Sequence, residues 1–137
     1  MSDYDVVATG LQFPEGPVCM ADGSVLLVEI KRGTISRVDP DNGSVEVVAQ
    51  PGGGPNGAAV GPDGALYVCN NGGFLWGETR GLTVPGLVPD DYSSGRIERI
   101  DINTGQVEVL YAEVDGVPLK GPNDLMFDSS GGFWFTD

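Results

Sequence analysis

The sequence has 137 residues, 20 of them acidic, seven basic and none histidine, for a formal net charge of −13. Seven cations are too few to neutralise a phosphate backbone, which excludes nucleic acids and anionic membranes as partners. The missing imidazole excludes a Ser-His-Asp triad, a histidine-ligated zinc and a histidine general base.

The acidity itself reads as solubility or, alternatively, as a cation-attracting surface. Twenty-two glycines and ten prolines punctuate short runs of Val, Ile, Leu and aromatics, the composition of many short strands joined by tight turns. Sustained helical periodicity is absent, and a chain of this size can bury a real core. The expected class is all-β.

In chain order, Met1-Ser2-Asp3-Tyr4-Asp5 has neither a basic stretch nor an apolar core, so no secretory signal is expected there. No apolar run approaches the length of a membrane span, and a cytoplasmic protein is expected. Cys19 and Cys69 fall at different places in the repeat described next. Two small buried thiols are therefore expected rather than a disulfide.

Three stretches share one layout: Phe13-Pro14-Glu15-Gly16-Pro17-Val18, Gly54-Pro55-Asn56-Gly57-Ala58-Ala59-Val60 and Gly121-Pro122-Asn123-Asp124-Leu125-Met126-Phe127. Glu15, Asn56 and Asn123 each precede a turn glycine by eight residues, at Gly23, Gly64 and Gly131. A strand-like run follows each glycine and ends on Glu29, Asn70 or Asp137. The intervening Asp-Gly and Ser-Gly turns are hairpin signals in which glycine supplies the positive φ. Glu29, Asn70 and Asp137, at strand ends, are read as hydrogen-bonding groups within the blade.

The back half of the unit repeats as well. Residues 33–48 align without gaps on residues 95–110, and apolar positions alternate with polar ones in both. Each unit is therefore four short antiparallel strands. The first spans 41 residues, from Glu15 to Asn56, the length of a four-stranded propeller blade.

The second unit is longer, chiefly through an insert at about 71–94, which reads as a loop on one face of a ring. Its length makes it either functional or a tolerated surface excursion. The chain thus supplies about two and a half to three blades as a single segment, 1–137. Blades bury their faces on neighbours and a ring removes edges only by closing. The chain is accordingly expected to be the N-terminal half of a larger propeller, or to complete its ring by self-association or with a second chain.

Oxygen is the available chemistry. A repeat that puts Glu15, Asn56 and Asn123 at one equivalent position puts them around one axis. A carboxylate with amide carbonyls is a hard donor set, suited to Ca²⁺, Mg²⁺ or Mn²⁺. Taken singly, each Asn is equally well a turn former bonding its own backbone, and Glu15 a solvated loop carboxylate. The shared register favours the metal.

These motifs resemble those of the gluconolactonases, senescence marker protein (regucalcin) and luciferin-regenerating enzyme, a family of six-bladed propellers. The resemblance rests on residues 11–18, on residues 33–43, and on Gly121-Pro122-Asn123-Asp124 running to Phe133-Trp134-Phe135-Thr136-Asp137. It implies one divalent ion (calcium, zinc, manganese or magnesium) held in part by Glu15 and Asn123. It also implies a second Asn and an Asp, including the general base, beyond residue 137, so no catalytic residue is assigned here. Asn56 is a channel-lining candidate for substrate, and Trp76 and Tyr92, with Arg32 and Arg80, would shape specificity if the insert caps the channel.

The implied activity is metal-assisted hydrolysis of a small-molecule sugar lactone. The alternatives are another ester or phosphotriester hydrolase on the same scaffold, or a non-catalytic propeller that only binds. Hard ligands in register argue against the last.

Overall fold

The structure, a computed structural model, describes residues 4–137. Among these there is no helix, and therefore none long and apolar enough to cross a membrane. The first blade is an antiparallel sheet of β1 (Pro14–Cys19), β2 (Val25–Glu29), β3 (Thr34–Val38) and β4 (Val45–Ala49), in that order. The second repeats it with β5 (Pro55–Val60), β6 (Leu66–Asn70), β9 (Arg96–Ile100) and β10 (Val107–Tyr111). A third begins with the hairpin β13 (Leu125–Phe127) and β14 (Phe133–Phe135). The expected four-stranded repeat is thus present, with its turn glycines Gly23, Gly64 and Gly131 at φ 85°, 79° and 88°.

The insert corrects one expectation. It is not a plain loop: β7 (Trp76–Thr79) and β8 (Leu82–Pro85) form a hairpin, with Thr79 paired to Leu82. Arg80 and Gly81 make its two-residue turn, both at positive φ (54° and 77°). That is the type I′ pattern, whose twist matches paired strands. The extra residues after β10 likewise pair as β11 (Glu113–Val114) and β12 (Val117–Pro118), around Asp115-Gly116.

The blades pack face to face. Leu26, Val28 and Ile35 of the first blade meet Leu66, Val68 and Ile100 of the second in one buried cluster. All six side chains are fully buried, and each contributes about 1.5–3 kcal/mol by leaving water. A second cluster joins the far face of blade two to the third hairpin through Cys69, Ile97, Leu119 and Leu125, flanked by Tyr67, Phe127 and Phe133. Tyr67 stands edge-on to Phe127 at 4.9 Å between ring centroids, a favoured aromatic geometry.

Both cysteines are free. Only Cys69 fits the expectation of burial; Cys19 is exposed. It is the last residue of β1, a terminal strand of its sheet, where nothing packs over it as blade three packs over Cys69.

Each second strand ends in a polar clasp. The buried Glu29 carboxylate accepts hydrogen bonds from the Gln12 amide (2.6 Å), the Ser36 hydroxyl (2.6 Å) and Arg32 Nη1 (2.9 Å). Asn70 Oδ1 accepts from the Gly54 amide (2.9 Å), while its Nδ2 donates to the Gly52 carbonyl and to Glu98 Oε2, both at 2.9 Å. Asp137 accepts from the amides of Lys120 and Gly121, at 2.9 and 2.7 Å. In all three blades the clasp grips the loop just ahead of the recurring Glu or Asn. The hydrogen-bonding role read for these strand ends is what they perform. Behind Asn70, burial pushes the Glu98 carboxyl up, while Asn70 and Arg96 pull it down by bonding to it.

Candidate functional site

The local backbone explains how the recurring residues reach one place. β1 and β2 pair in register at Pro14–Glu29 and Glu15–Val28, then slip between Glu15 and Val18. β5 and β6 pair at Pro55–Asn70 and slip between Pro55 and Ala58. A bulge re-aims side chains out of the ladder, and here it falls beside Glu15 and on Asn56. Asn123 precedes β13, and its amide donates to the Thr136 carbonyl at 2.9 Å.

Glycine lets the three copies approach. A Cβ on Gly16 would lie 2.7 Å from the Asn56 carbonyl oxygen and 2.9 Å from the Ala58 nitrogen. A Cβ on Gly57 would lie 2.6 Å from the Asn123 carbonyl and 2.5 Å from the Asp124 Cα. Real side chains do not fit such gaps. The Gly57 amide instead donates to the Asn123 carbonyl at 2.7 Å, joining the second copy to the third.

Glu15, Asn56 and Asn123 consequently line one cavity of about 500 Å³. Asp124 joins them, and Phe13, Ile30, Phe74 and Pro85 form an apolar side. Glu15 and Asn123 are exposed and Asn56 is half-buried, and all three border the open cavity. Glu15 Oε2 accepts only its neighbour's amide, Gly16 N, at 3.1 Å.

Trp76 stands just behind this wall, its ring 5.0 Å from Phe13 and 6.0 Å from Phe74. Tyr92 does not join the group. Its hydroxyl donates to the Lys120 carbonyl, and its ring lies against Gly72, which ties the insert to the entry of blade three. Arg32 is drawn to Glu29 and to the Gly10 carbonyl.

Sequence reading missed Asp124, Phe13, Phe74 and Pro85. Asp124 was visible as the neighbour of Asn123; the apolar wall depends on how the insert folds back.

The donor set is entirely oxygen: two carboxylates, from Glu15 and Asp124, and two side-chain amides. Among the described residues no three Asp, Glu or Cys side chains converge in a metal-binding group. Any ion here would therefore need the amide oxygens as well. That combination fits a hard divalent cation rather than a thiophilic one. A thiol nucleophile is also disfavoured, because burial together with the charges of Asp124 and Asp137 pushes the Cys69 thiol up to about 12.

Two four-stranded blades and a third hairpin, with recurring oxygen donors converging on one cavity, define a segment of a β-propeller. The sequence pattern of the SMP-30/Gluconolactonase/LRE-like region matches residues 13–137. The chain belongs to that family. It is 30% identical over 146 residues to the Gluconolactonase of Zymomonas mobilis, covering 97% of this chain and 35% of that protein. It is 28% identical over 134 residues to Lactonase drp35 of Staphylococcus saprophyticus, again covering 97% and 35%. The chain thus spans about a third of the length of these curated relatives.

Among solved structures, a gluconolactonase of Xanthomonas campestris superposes with a TM-score of 0.71 at 23% identity, covering 96% of this chain and 37% of that one. An aldose sugar dehydrogenase of Streptomyces coelicolor superposes with a TM-score of 0.53 at 24% identity, covering 77% and 31%. At those identities the likeness concerns the fold.

Proposed function

We propose that this chain forms the first part of a divalent-metal-dependent lactonase acting on sugar lactones. The observation that carries the reading is the convergence of Glu15, Asn56 and Asn123 from three successive repeats on one cavity. It is supported by membership of a family whose curated relatives are named gluconolactonase and lactonase.

Glu15 and Asn123 are the residues that would hold the ion, and Asn56 would bind substrate oxygen. A bound divalent ion supplies Lewis acidity for the lactone carbonyl. Glu15, free of competing donors beyond its neighbour's amide, keeps its carboxylate available to a cation. Asn123 is held by its backbone on both sides, which leaves its amide oxygen free to point at a ligand. The clasps at Glu29, Asn70 and Asp137 fix the loops carrying these groups, so little reorganisation is needed on binding. The reading places the protein in the cytoplasm, supported by its two unpaired cysteines.

In the whole protein, of which this chain is the first part, EDTA is expected to abolish glucono-δ-lactone hydrolysis, and added Ca²⁺, Mn²⁺ or Zn²⁺ to restore it. Hydrolysis indifferent to chelator would remove the metal from the reading.

The ring itself is also part of the proposal. Met126 and Trp134, paired across β13 and β14, are 73% and 75% exposed. In the blade repeat this is the face on which another blade would pack, as blade three packs on blade two. We therefore expect the chain to associate with itself or with a complementary chain. Sedimentation should show concentration-dependent oligomers that Trp134→Glu disperses; a parent chain monomeric at about 50 μM would refute this, since apolar faces of this kind drive association.

A further inference from the structure

The insert hairpin reaches the site through Phe74 and Pro85, and Trp76 packs behind them against blade one. Trp76 opens β7 and touches both blade one and the insert. Its ring lies 5.0 Å from Phe13 with a 53° tilt, stands edge-on to Phe74 at 6.0 Å, and has Lys31 Nζ over it at 6.0 Å.

Phe13 is held in an uncommon way. Its φ is 58°, left-handed and unfavourable for a bulky side chain. The backbone keeps it there because the Phe13 carbonyl accepts the Ile30 amide at 3.0 Å while the Gln12 amide is gripped by Glu29 at 2.6 Å. Strain of this kind persists only where the surroundings over-determine it. The turn delivers the Phe13 ring to the cavity, two residues before Glu15.

The hairpin is itself well braced. Beyond its strand pairs, the Leu75 amide donates to the Leu87 carbonyl at 2.8 Å and the Gly86 amide to the Leu75 carbonyl at 2.7 Å. Phe74 and Pro85, on its two arms, reach the cavity. The cavity therefore has two unlike sides, one of carboxylate and amide oxygens and one of aromatic and aliphatic carbon.

We propose that Trp76 is a specificity-determining positioning residue that holds Phe13 and Phe74 as an aromatic wall against the hydrocarbon face of a lactone ring. The proposal rests on the lactonase reading. It assigns to the wall a selection by ring shape: a cyclic ester lays a C–H face on the aromatics while its oxygens face Glu15, Asn56 and Asn123. The open-chain acid, which is the lactone plus one water, has no rigid C–H face to lay on the aromatics.

The test uses gluconolactam, a ring that resists hydrolysis, and gluconate as its open-chain counterpart, titrated calorimetrically into the whole protein of which this chain is the first part. Trp76→Ala is expected to weaken lactam binding about five- to tenfold, the scale of an aromatic face contact, and to leave gluconate binding within about twofold. Trp76→Phe should recover most of the lactam affinity. A merely structural Trp76 would weaken both ligands alike, and that result, or an unchanged lactam affinity, overturns the proposal.

Should Trp76→Ala lower the melting temperature, Phe74→Ala replaces it, since it removes wall surface but spares the Trp76–Phe13 contact. Unchanged lactam affinity in that variant overturns the proposal equally. If the whole protein, of which this chain is the first part, binds neither the lactam nor a divalent ion, the lactonase reading fails and the wall's assignment fails with it. If the ion binds and the lactam does not, only the wall is lost.

Discussion

In the whole protein of which this chain is the first part, Glu15→Gln is expected to lower divalent-ion affinity and lactone hydrolysis together, each by at least about a hundredfold. Groups that merely orient a metal ligand are worth about 10- to 100-fold, so a direct carboxylate ligand should exceed that range. The substitution keeps the side chain's shape and removes its charge. Because Glu15 is exposed and bonded only to the Gly16 amide, the melting temperature should hardly move. Calorimetric titration with Ca²⁺ and a lactone assay read the two effects separately. Normal ion affinity in the variant would return Glu15 to the role of a solvated loop carboxylate.

Glu29→Ala should act in the opposite way, on stability first. Its carboxylate is fully buried and satisfies the Gln12 amide, Ser36 and Arg32 at once. Removing it leaves the buried Ser36 hydroxyl without an acceptor and releases the partly exposed Gln12 amide and Arg32. The cost should be about 3 kcal/mol, which for a domain of this size corresponds to a fall of roughly 10 °C in melting temperature. Glu29→Gln, which still accepts from the backbone, should fall by less. Thermal unfolding followed by circular dichroism would decide it, and a change within about 2 °C for the alanine variant would show that the clasp bears little of the fold.

Much of this fold was legible because β structure announces itself through period-two alternation and glycine turns. Gly23, Gly64 and Gly131 do adopt the positive φ that their positions required, and the strands lie where the alternation placed them. The insert hairpin was hidden because Arg80 occupies a left-handed turn position that usually signals itself with Asn, Asp or Gly.

Contacts made at a distance were harder to foresee. Tyr92 is a plausible channel aromatic by sequence, but its hydroxyl satisfies the Lys120 carbonyl instead. Cys19 and Cys69 look alike as thiols, and only the packing of blade three distinguishes them. For the site, register alone indicated Glu15, Asn56 and Asn123 as neighbours around an axis. The apolar wall of Phe13, Phe74 and Pro85 belongs to three separate loops and strands, and no local pattern connects them.

The glycines beside the recurring residues have a geometric consequence. Gly16 lets the Asn56 strand press against the Glu15 strand, and Gly57 does the same for Asn123. In the third copy the corresponding residue is Asp124, whose Oδ1 accepts the Leu125 amide at 2.8 Å and lies over Gly57. The inner strands are therefore drawn tight from Glu15 through Asn123, and the bare Gly57 also leaves room for the Asp124 carboxylate beside the cavity. A side chain at position 57 would have to displace both the Asn123 backbone and that carboxylate.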